Sequence, residues 1–482
     1  MNASFTEPAA PAGTPGRRPV RVWVLVVALL AACFAFQLNA SMLSPALKNV
    51  EDSLDATSAE VGLTQTAFFT SAALFSLFLP RLGDLVGRRR VLAAMMVLMA
   101  VGCVVAALAQ SVPMLFVGRV IQGVSGPTVP LCLIMLRNEV HEPKRYGTLL
   151  GVITAVNGGI AGVDSIAGGS LADHYGFQSV FWVMAVVAGL AAVLVATLTP
   201  ESTAATAGDT RMDWRGVALL VVSVGAALIA LNEAGKLGAA NWPLVAGLAV
   251  VAALAFAAFW RAEDTSRHPL VATHHLRQRS TWALLLTTVL TMTGVFAVMN
   301  GMIPAFAQNA DAGFGMTAEQ SAWWTLTPYA LAGLAMGPLA GRLAATHGYG
   351  KVLRFGLIGS AATVALMLIT LQADSRPLLL VSSVLIGVAY AGVANIVLNG
   401  LGIVLSPKEN PGFLPGLNAG AFNLGAGLSF AVLYAVQTAA EPADKTSSAG
   451  YAAGMIAGVA LIAVAFATSF LIPKPVAAET DD

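Results

Sequence analysis

Apolar runs of about twenty residues recur along almost the whole chain, separated by short polar breaks. A run of that length matches the ~20 residues a helix needs to cross a hydrocarbon core about 30 Å thick. Fourteen such runs are expected, at about 22–44, 59–80, 90–109, 112–136, 146–171, 177–198, 214–234, 242–260, 280–308, 318–340, 351–371, 376–405, 413–437 and 449–472. Their apolar residues lie on every side of the helix, which excludes a soluble bundle, whose surface helices carry one apolar stripe. Only 11% of the 482 residues are charged, against roughly 25% in soluble domains. The predicted class is therefore an all-α, multi-pass membrane protein embedded in the lipid bilayer.

The loops support this reading. If the N-terminus is cytoplasmic and the loops alternate, only Lys48, Lys236, Arg376 and Lys445 of the 26 Lys and Arg residues fall outside, and Arg119 lies within a span. All the others are inside, as the positive-inside rule requires. Both termini are then cytoplasmic, in the cell membrane. Residues 1–21 are expected to be a disordered tail, without the ordered regions of a signal peptide. Six spans (22–198) are followed by a linker with two extra spans (199–279), six more spans (280–473) and a tail (474–482). This 6 + 2 + 6 layout suggests two related six-helix bundles with an inserted pair. A net charge of +1 gives no reason to expect nucleic acid. Cys33, Cys103 and Cys132 sit inside apolar runs without metal or disulfide spacing. No phosphate-binding glycine loop, CxxC or HExxH occurs, so neither a metal nor another cofactor is expected, and no enzyme.

The break after the second run reads PRLGDLVGRRRVL, residues 80–92. Asp84 falls at a helix end, Gly87 permits a tight turn, and Arg88, Arg89 and Arg90 open the next run. An acid held by a turn beside three arginines can pair across a helix joint and latch one conformation. The plainer reading is a positive-inside anchor. At this point the chain resembles the major facilitator superfamily, whose loop signature is Gly-x-Leu-Ala-Asp-Arg-x-Gly-Arg-Arg. Leu82, Asp84, Gly87, Arg88 and Arg89 match it; Pro80 and Leu85 do not. A weaker copy, GPLAGRLAATHGYGKVL at 337–353, has Gly341 in place of the acid and retains Arg342 and Gly348. The 6 + 2 + 6 layout resembles the fourteen-helix drug:proton antiporter branch.

Two ionisable residues fall at membrane depth, Arg119 and Asp164, and such groups are functional by default. Arg119 and Gln122 are three residues apart and share a helix face. They match the Arg-x-x-Gln-Gly signature that the family associates with proton transfer. Asn157 and Asp164 share a face of the fifth run. There Gly168 and Gly169 match the antiporter signature Gly-Pro-x-x-Gly-Gly, but Asp164 and Ser165 replace its Gly-Pro. In the first run Asn39 stands where those antiporters carry an acid. Asn39, Arg119 and Asp164 lie at similar depth, about 10 Å below the outer surface at 1.5 Å per residue. A proton-coupling pair of Asp164 and Arg119 is expected. The alternative is a permanent ion pair locking two helices.

The second half offers amides and aromatics in its spans: Asn300, Tyr329, Tyr390, Asn395, Asn399, Asn418 and Phe422. Such a wall suits a neutral, partly apolar ligand, although ordinary interhelical hydrogen bonding uses the same residues. The expected function is secondary transport of a small molecule by alternating access, as a monomer. The family branch implies proton-coupled multidrug efflux. The altered fifth-run signature keeps open an uptake permease or facilitator for a metabolite, and a membrane sensor on the same scaffold is a third reading.

Overall fold

In a computed structural model, residues 22–474 are described, apart from 141, 143–144, 147, 150–151, 154–161, 203–211, 235–237, 239, 267–272, 374, 408–412 and 442–446. The regular structure among the described residues is all helical. In chain order the principal helices are α1 (Val22–Ser41), α2 (Leu47–Leu54), α3 (Ser58–Val86), α4 (Arg88–Ala107), α5 (Val112–Gln122), α6 (Thr128–Glu139), α7 (Val163–Tyr175), α8 (Phe177–Leu198), α9 (Trp214–Ala234) and α10 (Trp242–Thr265). The second half holds α11 (Arg279–Ala297), α12 (Ile303–Gln308), α13 (Ala318–Trp324), α14 (Leu326–His347), α15 (Tyr349–Thr370), α16 (Arg376–Ile386), α17 (Asn395–Val404), α18 (Phe413–Ala440) and α19 (Ala449–Thr468).

Among the described residues, twelve helical stretches are long and apolar enough to cross a bilayer. The expected count of fourteen is not reached there. The fifth expected run, 146–171, passes through residues outside the described set. The tenth is split at Thr325 into α13 and α14. α14 is long enough, but Gly, Pro, Thr and Arg interrupt it, and it falls short in hydropathy. α9 and α10, expected as an inserted pair, pack against each other and present an apolar face, with Val250, Val251, Leu254 and Phe256 exposed. Trp23, Trp214 and Trp242, each more than half exposed at the first or second position of a helix, sit where amphipathic aromatics mark a membrane interface.

Helix ends follow their sequence signals. Thr57 and Glu60 form a reciprocal capping box that starts α3, and Thr317 with Gln320 does the same for α13. Gly87 ends α3 at φ +115°, and Gly348 ends α14 at φ +92°, a region that strains any residue with a Cβ. These two glycines end the second and tenth of the expected runs.

The arginine-rich loop 87–90 defines one face of the bundle; Asp55 and Asp311 lie at the opposite face. The halves meet along α3 and α18. Near the opposite face the fit is tight: a methyl group at Gly62 would lie 3.0 Å from the Tyr434 ring, and one at Gly427 would lie 2.7 Å from Thr70 Oγ1. Toward the arginine-rich face the gap widens. A methyl group at Gly420 would find Ala73 only at 3.9 Å, and one at Gly416 would meet nothing within 4 Å. Thr66 Oγ1 donates to the Gly427 carbonyl (2.9 Å), Gln308 Nε2 to the Pro45 carbonyl (2.9 Å), and the Ala318 and Glu319 amides donate to Asp173 (2.9 and 2.8 Å). The bundle is thus sealed at the opposite face and parts toward the arginine-rich one.

Candidate functional site

Arg119 is the centre of a polar cluster inside the first half. It is wholly buried on α5, brought close to α3 by Gly123 and Gly126, where a methyl group would collide with Ser71 and Ala72. Its Nη2 donates to Gln65 Oε1, and its Nη1 donates to Gln122 Oε1 (2.6 Å) and the Asn39 carbonyl (3.3 Å). The guanidinium lies 4.2 Å over the Phe68 ring, an arrangement that suits its weakly hydrated, planar charge. Arg119 Nε and Gln122 Nε2 are buried without a partner among the described residues. The cation is therefore held by neutral dipoles rather than by a counter-ion.

In this conformation Asp164 makes no ion pair with Arg119, so the alternative of a permanent ion pair is not what the structure shows. Asp164 is buried, and its Oδ2 lies 2.5 Å from the Ser41 hydroxyl. The physical reason is the position of α1. This helix presents the Asn39 carbonyl to Arg119 and, two residues on, the Ser41 hydroxyl to Asp164, so it stands between the two charges. Ser41 Oγ also accepts from Gln37 Nε2 and lies 3.0 Å from the Gln37 carbonyl. One hydroxyl proton cannot serve both that carbonyl and Asp164. Ser41 Oγ thus stands between the Gln37 carbonyl and Asp164 Oδ2, and the Ser165 hydroxyl lies 3.4 Å from Asp164 Oδ1. An ionised Asp164 would leave a buried charge with no cation beside it, a costly state.

Asn39 takes the place expected of it, but its side chain is occupied. Its Nδ2 donates to the Ala35 carbonyl (3.1 Å) and its Oδ1 accepts from Cys103 (3.3 Å). Asn157 lies outside the described residues.

In the second half, Asn300 and Tyr390 sit in π-helical turns, Val298–Met302 and Gly387–Ala394, that interrupt α11–α12 and α16–α17. Such turns release a backbone carbonyl and recur at functional sites. Sequence periodicity does not reveal them. Tyr390 is buried with its ring parallel to that of Tyr329, centroids 6.5 Å apart, and its hydroxyl 2.6 Å from Met292 Sδ. Phe422 is half-buried. Asn418 is not free for a ligand: it accepts from Thr288 (2.8 Å) and donates to the Leu398 carbonyl (3.2 Å), tying α11, α17 and α18 together. Asn395 and Asn399 bond to each other, with Asn399 exposed (2.9 and 3.0 Å).

The loop 84–90 has one partner that the sequence did not point to, Glu201. Asp84 holds Arg88, one turn away, at 2.7 Å. Arg89 and Arg90 reach Glu201 at 3.4 and 3.5 Å, the Arg89 amide donates to Glu201, and the Arg88 amide donates to the Ser202 carbonyl. Gly87 leaves room for Glu201; a methyl group there would overlap its carboxylate. Glu201 lies in the polar stretch after the sixth run, which reads as linker. Gln65 and Ser41 escape sequence reasoning too: neither is charged, and charge at membrane depth is the signal that picks out the cluster.

The Major Facilitator Superfamily pattern matches residues 29–430. The uridine/deoxyuridine transporter of Lactococcus lactis subsp. cremoris is 54% identical over 454 residues, 93% of this chain and 94% of that one. The tetracenomycin C resistance and export protein of Streptomyces glaucescens is 26% identical over 435 residues, 89% of this chain and 78% of that one. Among solved structures, the nucleoside transporter NupG covers 93% of this chain and 100% of its own at a TM-score of 0.63; at 14% identity this is a likeness of fold. Two helical halves, a glycine-turned arginine loop, buried polar groups at membrane depth and a pattern match across most of the chain lead to one conclusion: this multi-pass membrane protein belongs to the Major Facilitator Superfamily and is a secondary transporter, not an enzyme.

Proposed function

We propose that the chain is a permease for the uptake of pyrimidine nucleosides of the uridine and deoxyuridine kind. The observation that carries this reading is the 54% identity to the Lactococcus uridine/deoxyuridine transporter over nearly the full length of both chains. The exporter of tetracenomycin C is similar at less than half that identity, so the multidrug-efflux reading is not retained. The second half supports a neutral ligand. Between its helix ends it offers Asn300 and the parallel Tyr329–Tyr390 pair, groups able to stack on a base and hydrogen-bond a sugar.

The finer features of this reading are fourteen spans, a monomer, and a cytoplasmic arginine-rich face in the plasma membrane, in accord with the positive-inside rule. The conformation described is then open to the cytoplasm. Proton coupling resides in Asp164: neutral on Ser41 here, and in its ionised form drawn to Arg119, the buried cation on the far side of α1. Uptake of radiolabelled uridine into vesicles with an imposed pH gradient tests both parts. Saturable uridine accumulation, competed by deoxyuridine, is expected. Transport of unrelated drugs without uridine uptake would overturn the substrate, and accumulation indifferent to the gradient would overturn the coupling.

A further inference from the structure

We propose that Glu51 is a second proton-binding site, at the face opposite the arginine loop, and that its protonated form holds this face shut. Glu51 lies on α2, the short helix that follows α1. It is only 7% exposed, and its Oε1 is buried without a hydrogen-bond partner among the described residues. α2 belongs to the first half, but Glu51 is enclosed partly by the second. Tyr434 of α18 and Tyr451 of α19 lie within electrostatic reach of it. Tyr434 is itself wedged between the halves, against Gly62 of α3 and Gly301 of the π-helical turn. Its hydroxyl is also buried and unpartnered. Two orphaned polar atoms thus face the seam that must separate when the opposite face opens.

The charged surroundings do not secure a buried carboxylate. Lys48 Nζ is 3.5 Å from Glu51 Oε2 but 2.7 Å from Asp52 Oδ1, so its charge is committed mainly to Asp52. Asp52 repels a second negative charge. From α3 comes the Ser58 hydroxyl; α12 and α8 carry no ionisable residue. Tyr434 and Tyr451 are neutral phenols, and Glu441 lies beyond Tyr451. Burying an ionised carboxylate here is costly, whereas a neutral carboxyl can enter the seam. Opening the opposite face hydrates Glu51 and favours its ionisation. Linkage then runs both ways: protons on that side stabilise the closed form, and closure raises proton affinity.

This site is separate from Asp164, and its test needs no substrate, so it stands or falls independently of the nucleoside reading. A cysteine is introduced at Thr66, a residue 1% exposed in the closed seam. Its labelling by a membrane-impermeant maleimide is followed in intact cells as external pH is varied. The parent chain is the control, its Cys33, Cys103 and Cys132 being wholly buried. With labelling divided by that of the same cysteine in the unfolded chain, which removes the thiol's own ionisation, the ratio should rise with external pH, by at most about tenfold per unit for a single proton. Glu51→Gln should hold the ratio at its low, acid-side value at every pH. Lys48→Gln, which removes the cation nearest Glu51 among the described residues, should shift the rise to higher pH. A ratio indifferent to pH, or a pH response unchanged in Glu51→Gln, would overturn the proposal.

Discussion

Asp164 rests on the hydroxyl of Ser41, 2.5 Å away, while Arg119 is bound to amides on the other side of α1. Separate partners leave Asp164 able to change its charge without breaking the Arg119 cluster, as the proposed coupling requires. If Asp164 carries the coupled proton, Asp164→Asn keeps the hydrogen bond to Ser41 and the fold, because an amide can donate where the neutral carboxyl did. Downhill uridine equilibration should persist in this variant while accumulation driven by a pH gradient is lost. Gradient-driven accumulation at the normal level would remove Asp164 from the coupling role.

Arg119 should tolerate no substitute, lysine included. Its fork serves Gln65, Gln122 and the Asn39 carbonyl from one planar group, over the face of Phe68. An ammonium is a point charge that cannot reproduce that geometry. Arg119→Lys leaves buried amide oxygens short of donors, at about 1–3 kcal/mol for each group left unsatisfied. The expected result is a lower thermal midpoint in detergent and transport reduced at least tenfold. A variant with normal stability and transport would show the cluster to be incidental.

The membrane class and the arginine loop were legible because each is written in strong local signals: apolar length, and a glycine flanked by an acid and arginines. Arg119 and Asp164 were legible as cluster members because charge at membrane depth is rare. Their separation was not. It depends on which face α1 turns toward each of them, a matter of packing that spacing within one helix does not contain. Glu201 was lost for a related reason: its partners lie more than a hundred residues earlier, and only the docking of the segment after α8 onto the start of α4 brings them together. The π-helical turns around Asn300 and Tyr390 leave no mark in an apolar pattern at all.

The two turn glycines allow a controlled comparison. Gly87 and Gly348 both have positive φ, so alanine at either position carries backbone strain of about 1–3 kcal/mol. Gly348 has open space around it, whereas a Cβ on Gly87 would overlap the Glu201 carboxylate. Gly87→Ala should therefore break the contacts of Arg89 and Arg90 as well as strain the turn. Its maximal transport rate should fall several-fold further than that of Gly348→Ala, with similar KM. Glu201→Gln, which weakens the ion pairs without strain, should reproduce part of the Gly87→Ala defect. Equal effects of the two alanine variants would mean that only the turn matters and that the Glu201 contacts are passive anchors.

Nucleoside recognition, if it lies in the second half, should depend on Tyr329 and Tyr390 unequally. Both rings are parallel, but Tyr390 is buried with its hydroxyl against Met292, whereas Tyr329 is only partly buried. Tyr329 is the ring a base can reach without repacking the π-helical turn. Tyr329→Ala removes a stacking face, at about 1–3 kcal/mol per stacked base, which corresponds to a roughly five- to 150-fold rise in uridine KM. Tyr329→Phe keeps the face and should change KM little. Tyr390→Phe loses only the contact with Met292 and should leave KM within a few-fold while slightly lowering stability. The measurement is initial-rate uptake at graded uridine concentrations. An unchanged KM in Tyr329→Ala, with the protein correctly folded, would place the base elsewhere in the cleft between the halves.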